Sequence, residues 1–250
     1  MGGCDVLDDV QDAIDELTHP VLVEGLVTSV APPQMREVAA ILEESDYGAG
    51  IAVEFWVGEA YLDSEVESVA VADAEVTLCA GSALELISHG DGGYGVDPGV
   101  NLAYEPGAEW NVEIAVPGTD AVGRIPFVLP ESLELVLPRV HRQGEALVVD
   151  LEGAEQAYDA LILVVLDRTG EVVWSNQPEE LAPVDAYEFA RGGLGSSVTL
   201  PAEAFLETGP HLVGWAAMRS NEPERVRAVN PILSMVMVGE FEFALLRVRS

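Results

Sequence analysis

The chain of 250 residues contains no lysine, and arginine supplies all 11 of its basic side chains. Against 44 acidic residues, this leaves a formal net charge of −33. A field of that sign repels phosphate backbones and anionic lipid headgroups, so the composition excludes nucleic acid as a partner. Three interpretations of the acid excess stay open: a solvated coat that keeps the protein soluble, adaptation to high salt, and binding of divalent cations.

Long hydrophobic runs and cysteine are also scarce. The longest apolar runs, 160–166 and 232–238, are strand-sized and fall well short of the roughly 18 residues of a membrane-spanning helix. Two cysteines exclude a disulfide framework and a four-cysteine zinc site. Cys79 is predicted to be a small buried hydrophobe, with a Cys4–Cys79 disulfide as the alternative in an oxidising compartment.

Familiar catalytic motifs are missing as well. Neither a G-x-S-x-G nucleophile elbow nor an H-E-x-x-H zinc helix occurs. The spacing Gly90-x-Gly92-x-x-Gly95 matches a dinucleotide fingerprint, but residues 96–99 (Val-Asp-Pro-Gly) cannot begin the helix that receives the pyrophosphate. We therefore predict a protein that is not an enzyme and needs no cofactor. A hydrolase with an unrecognised carboxylate pair stays open, because 44 acids offer many pairs.

The N-terminal segment 1–19 combines a cysteine with an acidic, helically spaced stretch. Six of the thirteen residues 5–17 are acidic, and Val6, Val10, Ile14 and Leu17 recur at helical spacing, which predicts a short acidic helix or spacer. Gly2-Gly3-Cys4 resembles the end of a bacterial lipobox. That resemblance implies lipidation of Cys4, attachment to a membrane through the lipid, and a secreted lipoprotein of the cell envelope. The lipoprotein would be located at the outer membrane or the cell surface, or on the periplasmic side of the membrane.

From His19 onward, short β-rich segments separated by glycine and proline predict an all-β fold. We expect two tandem β-sandwich domains, 20–125 and 126–250, divided near the prolines of 124–138; the motifs described next resemble immunoglobulin-like sandwiches. In the first domain, the run 72–78 (Ala-Asp-Ala-Glu-Val-Thr-Leu), Gly92-Gly93-Tyr94 and the Trp110 strand resemble prealbumin-like modules of secreted proteins. The resemblance implies a structural domain with no catalytic residues.

The second domain carries its own pattern. The run 197–202 (Ser-Val-Thr-Leu-Pro-Ala) followed by Gly209-Pro210-His211 resembles fibronectin-III-like or immunoglobulin-like domains of bacterial surface proteins, with His211 in place of the usual tyrosine. Residues 167–170 (Asp-Arg-Thr-Gly) predict a hairpin turn, and Gly239-Glu240 predicts another between strands 232–238 and 241–248.

Two groups of residues are candidates for ligand binding. His89, Asp91 and Asp97 flank a glycine-rich run, and their side chains with loop carbonyls could hold calcium; a plain glycine-rich hairpin is the competing interpretation. The four tryptophans (Trp56, Trp110, Trp174 and Trp215) are predicted to fill sandwich cores. The alternative, a carbohydrate-binding platform, requires several of them exposed on one face.

These observations predict a non-catalytic, lipid-anchored protein of the bacterial cell envelope with a structural or binding role. A calcium- or carbohydrate-binding module is the first alternative. The ligand of the protein would be a glycan or another protein, which the sequence does not identify.

Overall fold

A computed structural model describes residues 21–45, 47, 49–62, 66–97, 100–118, 122–151, 154, 157–177, 195–222, 229 and 234–250. Strands make up 55% of the structure and helical residues 7%, so the all-β prediction is confirmed. Cys4, the acidic stretch 5–17 and residues 178–194 lie outside the described residues. No helix in the described part of the chain has the length and apolarity that a bilayer crossing requires.

Sixteen described strands accompany one α-helix, α1 (Arg36–Leu42), and one 3₁₀ turn, Ala202–Phe205. The strands are β1 Val21–Val30, β2 Gly50–Leu62, β3 Val66–Ala70, β4 Glu75–Cys79, β5 Ala83–Glu85, β6 Ile87–Gly90, β7 Gly93–Gly95, β8 Glu109–Ala115, β9 Val122–Val128, β10 Val140–Arg142, β11 Leu147–Asp150, β12 Ala160–Leu166, β13 Val172–Ser175, β14 Ser197–Leu200, β15 Gly209–Asn221 and β16 Met235–Arg249. The helix α1 buries Val38, Ile41 and Leu42 on one side, which is the spacing of a helical apolar stripe.

The chain divides into two compact units, each assembled from separated segments. Unit 1 is Met1–Val27, Ala52–Leu129 and Asn221–Met237; unit 2 is Thr28–Ile51, Pro130–Ser220 and Val238–Ser250. One boundary, between Leu129 and Pro130, falls among the prolines where a division was expected. Two tandem domains are not confirmed, because four strands each contribute residues to both units: β1, β2, β15 and β16. The ranges 20–125 and 126–250 stay a prediction.

Unit 1 contains a four-stranded antiparallel sheet of order β5-β4-β8-β9. Its strands alternate buried and exposed residues, so Val76, Val112 and Ile125 point to one buried face. Elsewhere in this unit β2, β7 and β6 are neighbours in the ten-stranded sheet, with β7 between β2 and β6. Tyr94 of β7 links it to the chain before β4: the tyrosine hydroxyl donates to the Val71 carbonyl at 2.7 Å and accepts from the Ala74 amide at 2.8 Å.

Unit 2 is built on strands of order β13-β12-β15-β16, with β10 parallel to β16 and β11 paired with β14. One face of this sheet packs through Leu163, Val213 and Leu246 into a core that includes Leu200 and the fully buried Phe205. This sheet therefore packs against the β11–β14 pair, which is the sandwich arrangement that the sequence predicts. The predicted hairpin turn 167–170 is confirmed between β12 and β13.

A turn at Ala72-Asp73 separates β3 from β4. One predicted element is wrong. The predicted hairpin at Gly239-Glu240 does not form, and β16 runs through both residues as one strand. Gly239 is required there for close packing: a Cβ would lie 2.4 Å from Met218 Sδ and 2.8 Å from the Ala217 carbonyl oxygen.

Candidate ligand-binding face

Strand register in unit 1 brings a set of outward-pointing residues onto one side of β2, β7 and β6. Residues directly opposite each other on antiparallel strands share a face. Glu54 and Ile87 both pair with Gly95, and Trp56 pairs with Gly93. We call this surface, with the adjacent His89, the Trp56 face. The intervening residues Phe55 and Tyr94 point the other way and are buried.

Trp56 lies flat on glycine backbone. A Cβ at Gly58 would fall 2.0 Å from its Cη2 atom, and a Cβ at Gly92 would fall 2.9 Å from its Nε1. The indole Nε1–H donates to the Asp91 carbonyl oxygen at 3.0 Å, which fixes the ring in its plane. Only residues without a side chain leave room for a ring at this height above a sheet. Trp56 therefore remains half-buried on the outside of the sheet.

His89 extends the surface along the edge strand β6. Its exposed imidazole lies over Gly95, where a Cβ would be 2.5 Å from Nε2. Ile87, on the same strand, is 45% exposed. The Trp56 face thus offers one indole and one imidazole, both resting on glycine, beside the exposed carboxylate of Glu54.

The glycine-rich run of the sequence forms the hairpin between β6 and β7. Asp91 and Gly92 occupy its tip with φ values of 47° and 75°, the left-handed pair that a two-residue type I′ turn requires. The described residues that follow the run, 96–97 and 100–108, are not helical.

The three predicted calcium ligands are all exposed on or near this hairpin. His89 is on β6, Asp91 is at the tip, and Asp97 follows the end of β7, where its carbonyl accepts a hydrogen bond from Val100. Among the described residues, no group of three or more histidine, cysteine or acidic side chains could hold a metal ion. Calcium binding through these residues stays a prediction.

Glu24 on the neighbouring strand β1 faces the same side as Trp56. A Cβ at Gly25 would lie 2.4 Å from the Phe55 ring, so Gly25 shares the buried side of Phe55. Alternation along β1 then directs Glu24 to the opposite side. The side chain is half-buried, and burial raises the pKa of the Glu24 carboxyl to about 7.

The tryptophans divide into two classes. Trp110 and Trp215 are 6% and 5% exposed, as expected of core residues, whereas Trp56 and Trp174 are only partly buried. The prediction that all four fill cores is therefore wrong for Trp56. The sequence contained a signal for its position, namely the glycine two residues later on the same face and the glycines of the next hairpin.

The prediction that Cys79 is a buried hydrophobe is wrong, because the residue is only partly buried and points outward from β4. Its register partners are Ala83 and Asn111. The Asn111 side-chain oxygen is buried without a hydrogen-bond partner among the described residues. The other cysteine, Cys4, lies outside those residues.

No protein-family model matches this chain, and no curated protein matches it.

Proposed function

We propose that the protein is a non-catalytic, lipid-anchored component of the bacterial cell envelope that binds a glycan on the Trp56 face. The lipid anchor would be attached at Cys4, and the two units would be prealbumin-like and fibronectin-III- or immunoglobulin-like sandwiches. The Gly2-Gly3-Cys4 segment supports the location in the cell envelope, and the strand motifs described above support the domain types.

The observation that carries the binding role is the indole of Trp56 laid on glycine. Trp56 is the one tryptophan of this face, so a platform of several tryptophans is not formed, and the imidazole of His89 is the second ring of the surface. The apolar C–H face of a pyranose ring packs on a flat aromatic surface, while its hydroxyls need donors and acceptors around the rim. Glu54 provides acceptors, and His89 provides a donor and an acceptor in its neutral form. A flat, partly polar surface of this kind suits an extended polysaccharide better than a small molecule, which requires a concave pocket.

A screen of immobilised envelope and plant polysaccharides, followed by titration of the best ligand, tests the proposal. We expect Trp56→Ala to weaken binding at least tenfold, in line with the loss of an aromatic stacking contact and its buried area. Trp174→Ala is the matched control, because Trp174 is the other partly buried tryptophan and belongs to unit 2. Equal loss in both variants, or no loss in Trp56→Ala, would contradict a glycan site on this face.

A further inference from the structure

Glu24 lies on the strand next to Trp56 and on the same side of the sheet. The strands β1 and β2 are neighbours, and neighbouring strands lie about 4.8 Å apart. A Cβ at Gly25 would be 2.4 Å from the Phe55 ring, which brings these two residues next to each other across the strand pair. The residues of β2 that stand nearest to Glu24 on its own side are therefore Glu54 and Trp56.

The strand on the other side of β1 offers this carboxyl apolar neighbours. That strand is β16, and a Cβ at Gly25 would be 3.1 Å from Val236 Cγ2. Alternation along β16 then places Met235 and Met237, which are 8% and 5% exposed, on the side of the carboxyl. Of the described side chains that stand beside it on these two strands, Glu54 is therefore the one charged group.

The Glu24 carboxyl is half-buried, and neither a hydrogen bond nor an ion pair joins it to the described residues. Leu22 and Leu26 flank it on the same side of β1, and burial raises the pKa of the carboxyl to about 7. Near neutral pH it therefore exchanges between a charged form, which burial penalises, and a neutral form, which can donate one hydrogen bond and accept another. An unpaired polar group that water still reaches is available to a sugar hydroxyl.

We propose that Glu24 belongs to the glycan site: the polysaccharide extends from the Trp56 indole over the protonated carboxyl and places an uncharged sugar there. This inference rests on the proposed function. A sugar that covers the carboxyl removes the water that still hydrates it, and the charged form loses more hydration than the neutral form. Binding therefore takes up a proton where the carboxyl is charged. An acidic sugar at this position is repelled by Glu54 and, at higher pH, by Glu24 itself.

Four uncharged hexasaccharides test the inference on the full chain: cellohexaose, xylohexaose, mannohexaose and chitohexaose. We expect at least one of them to bind and to lose affinity in Trp56→Ala. Its affinity should be about three- to tenfold lower at pH 8 than at pH 6, because the ionised fraction of Glu24 rises over this range. Hexagalacturonate, which is acidic, should bind more weakly at both pH values. A Trp56-dependent preference for hexagalacturonate would overturn the inference of an uncharged sugar.

Calorimetry at pH 7 in phosphate and in Tris measures the proton directly, because the two buffers differ in ionisation enthalpy. We expect binding to take up about 0.3–0.5 proton per protein in the wild type. Glu24→Gln should lose this uptake and keep, at both pH 6 and pH 8, the affinity of the wild type at pH 6, because its amide stays neutral. Glu75→Gln is the matched control, since Glu75 is an exposed carboxylate on β4 of the four-stranded sheet, and it should leave the uptake unchanged.

Two further results would overturn the inference. Equal proton uptake in the wild type and in Glu24→Gln would assign the proton to another group, such as His89, and would leave glycan binding in place. The absence of Trp56-dependent binding by all four uncharged hexasaccharides would remove the sugar from this position, whereas the polysaccharide screen decides the glycan proposal separately.

Discussion

At the scale of single residues, the glycines decide where the aromatic side chains lie. Gly58, Gly92 and Gly95 have no Cβ at positions where Trp56 and His89 occupy the space above the sheet. Sequence patterns treat a glycine in a strand as a weak point or a turn. The contact of Gly58 with Trp56 lies within β2, so the spacing of that strand contains it. The contacts of Gly92 and Gly95 join different segments of the chain and depend on register, which the pattern of one strand does not contain.

Gly58→Ala should displace the indole of Trp56, because the new Cβ would lie 2.0 Å from Cη2. We expect a loss of about 1–2 kcal/mol in the free energy of unfolding and a red shift of tryptophan fluorescence. Gly195→Ala is the control: its Cβ would meet nothing closer than 3.5 Å, and its φ is not in the left-handed region. An unshifted emission spectrum in Gly58→Ala would show that the indole does not rest on this glycine.

Glu24 gives a pH dependence with a defined sign. Its pKa is about 7 in the folded protein against an ordinary value of 4.5, so the folded state holds the extra proton between these values. The contribution of Glu24 to stability is therefore complete below about pH 4.5 and is lost as the pH rises to about 7.

Allowing for the partial exposure of Glu24 to water, the loss amounts to about 1–2 kcal/mol. Glu24→Gln should flatten this part of the stability profile, measured by urea unfolding at several pH values. An unchanged slope between pH 4.5 and 7 in the variant would assign the dependence to other groups.

At the scale of elements, short-range turn chemistry was predictable and strand continuity was not. Asp167 accepts hydrogen bonds from the amides of Thr169 and Glu171 at 2.7 and 3.1 Å, so the turn 167–170 forms from its own residues. Gly239-Glu240 has the composition of a hairpin turn but lies inside β16. There the decisive contact is with β15, 21 residues away in sequence at Met218.

Gly239→Ala tests this account of β16. The added Cβ would lie 2.8 Å from the Ala217 carbonyl oxygen, a backbone atom that cannot move without distorting β15. We expect a loss of about 2–3 kcal/mol, read from thermal and urea unfolding. A neutral effect would indicate that Gly239 is in an open turn, as the sequence pattern suggested.

At the scale of the whole molecule, the all-β class could be predicted from the short β-rich segments and from the glycine and proline residues between them. The division into two discontinuous units could not be predicted in this way. Pattern analysis assumes that neighbouring segments pack together. Here the segment Asn221–Met237 belongs with unit 1 although it follows unit 2 residues in sequence. Its bridge from Val229 to Val21 spans most of the chain, and only the tertiary structure reveals it.

The proposed envelope location makes a prediction for the protein expressed in bacteria that lipidate secreted proteins. Lipidation at Cys4 should place the protein in the membrane fraction and label it with a radioactive or alkynyl fatty acid. Cys4→Ala should abolish the label and release the protein, whereas Cys79→Ala should change neither. Membrane retention and labelling of Cys4→Ala would contradict the anchor.

The central claim, that the Trp56 face binds a glycan, is tested most directly by NMR of the indole Nε1–H groups. Four tryptophans give separate signals that can be assigned by substitution. On titration with the polysaccharide selected in the screen, the account predicts a saturable shift of the Trp56 signal while those of Trp110, Trp174 and Trp215 stay in place. Binding that leaves the Trp56 signal unmoved, or that shifts Trp174 instead, would contradict it.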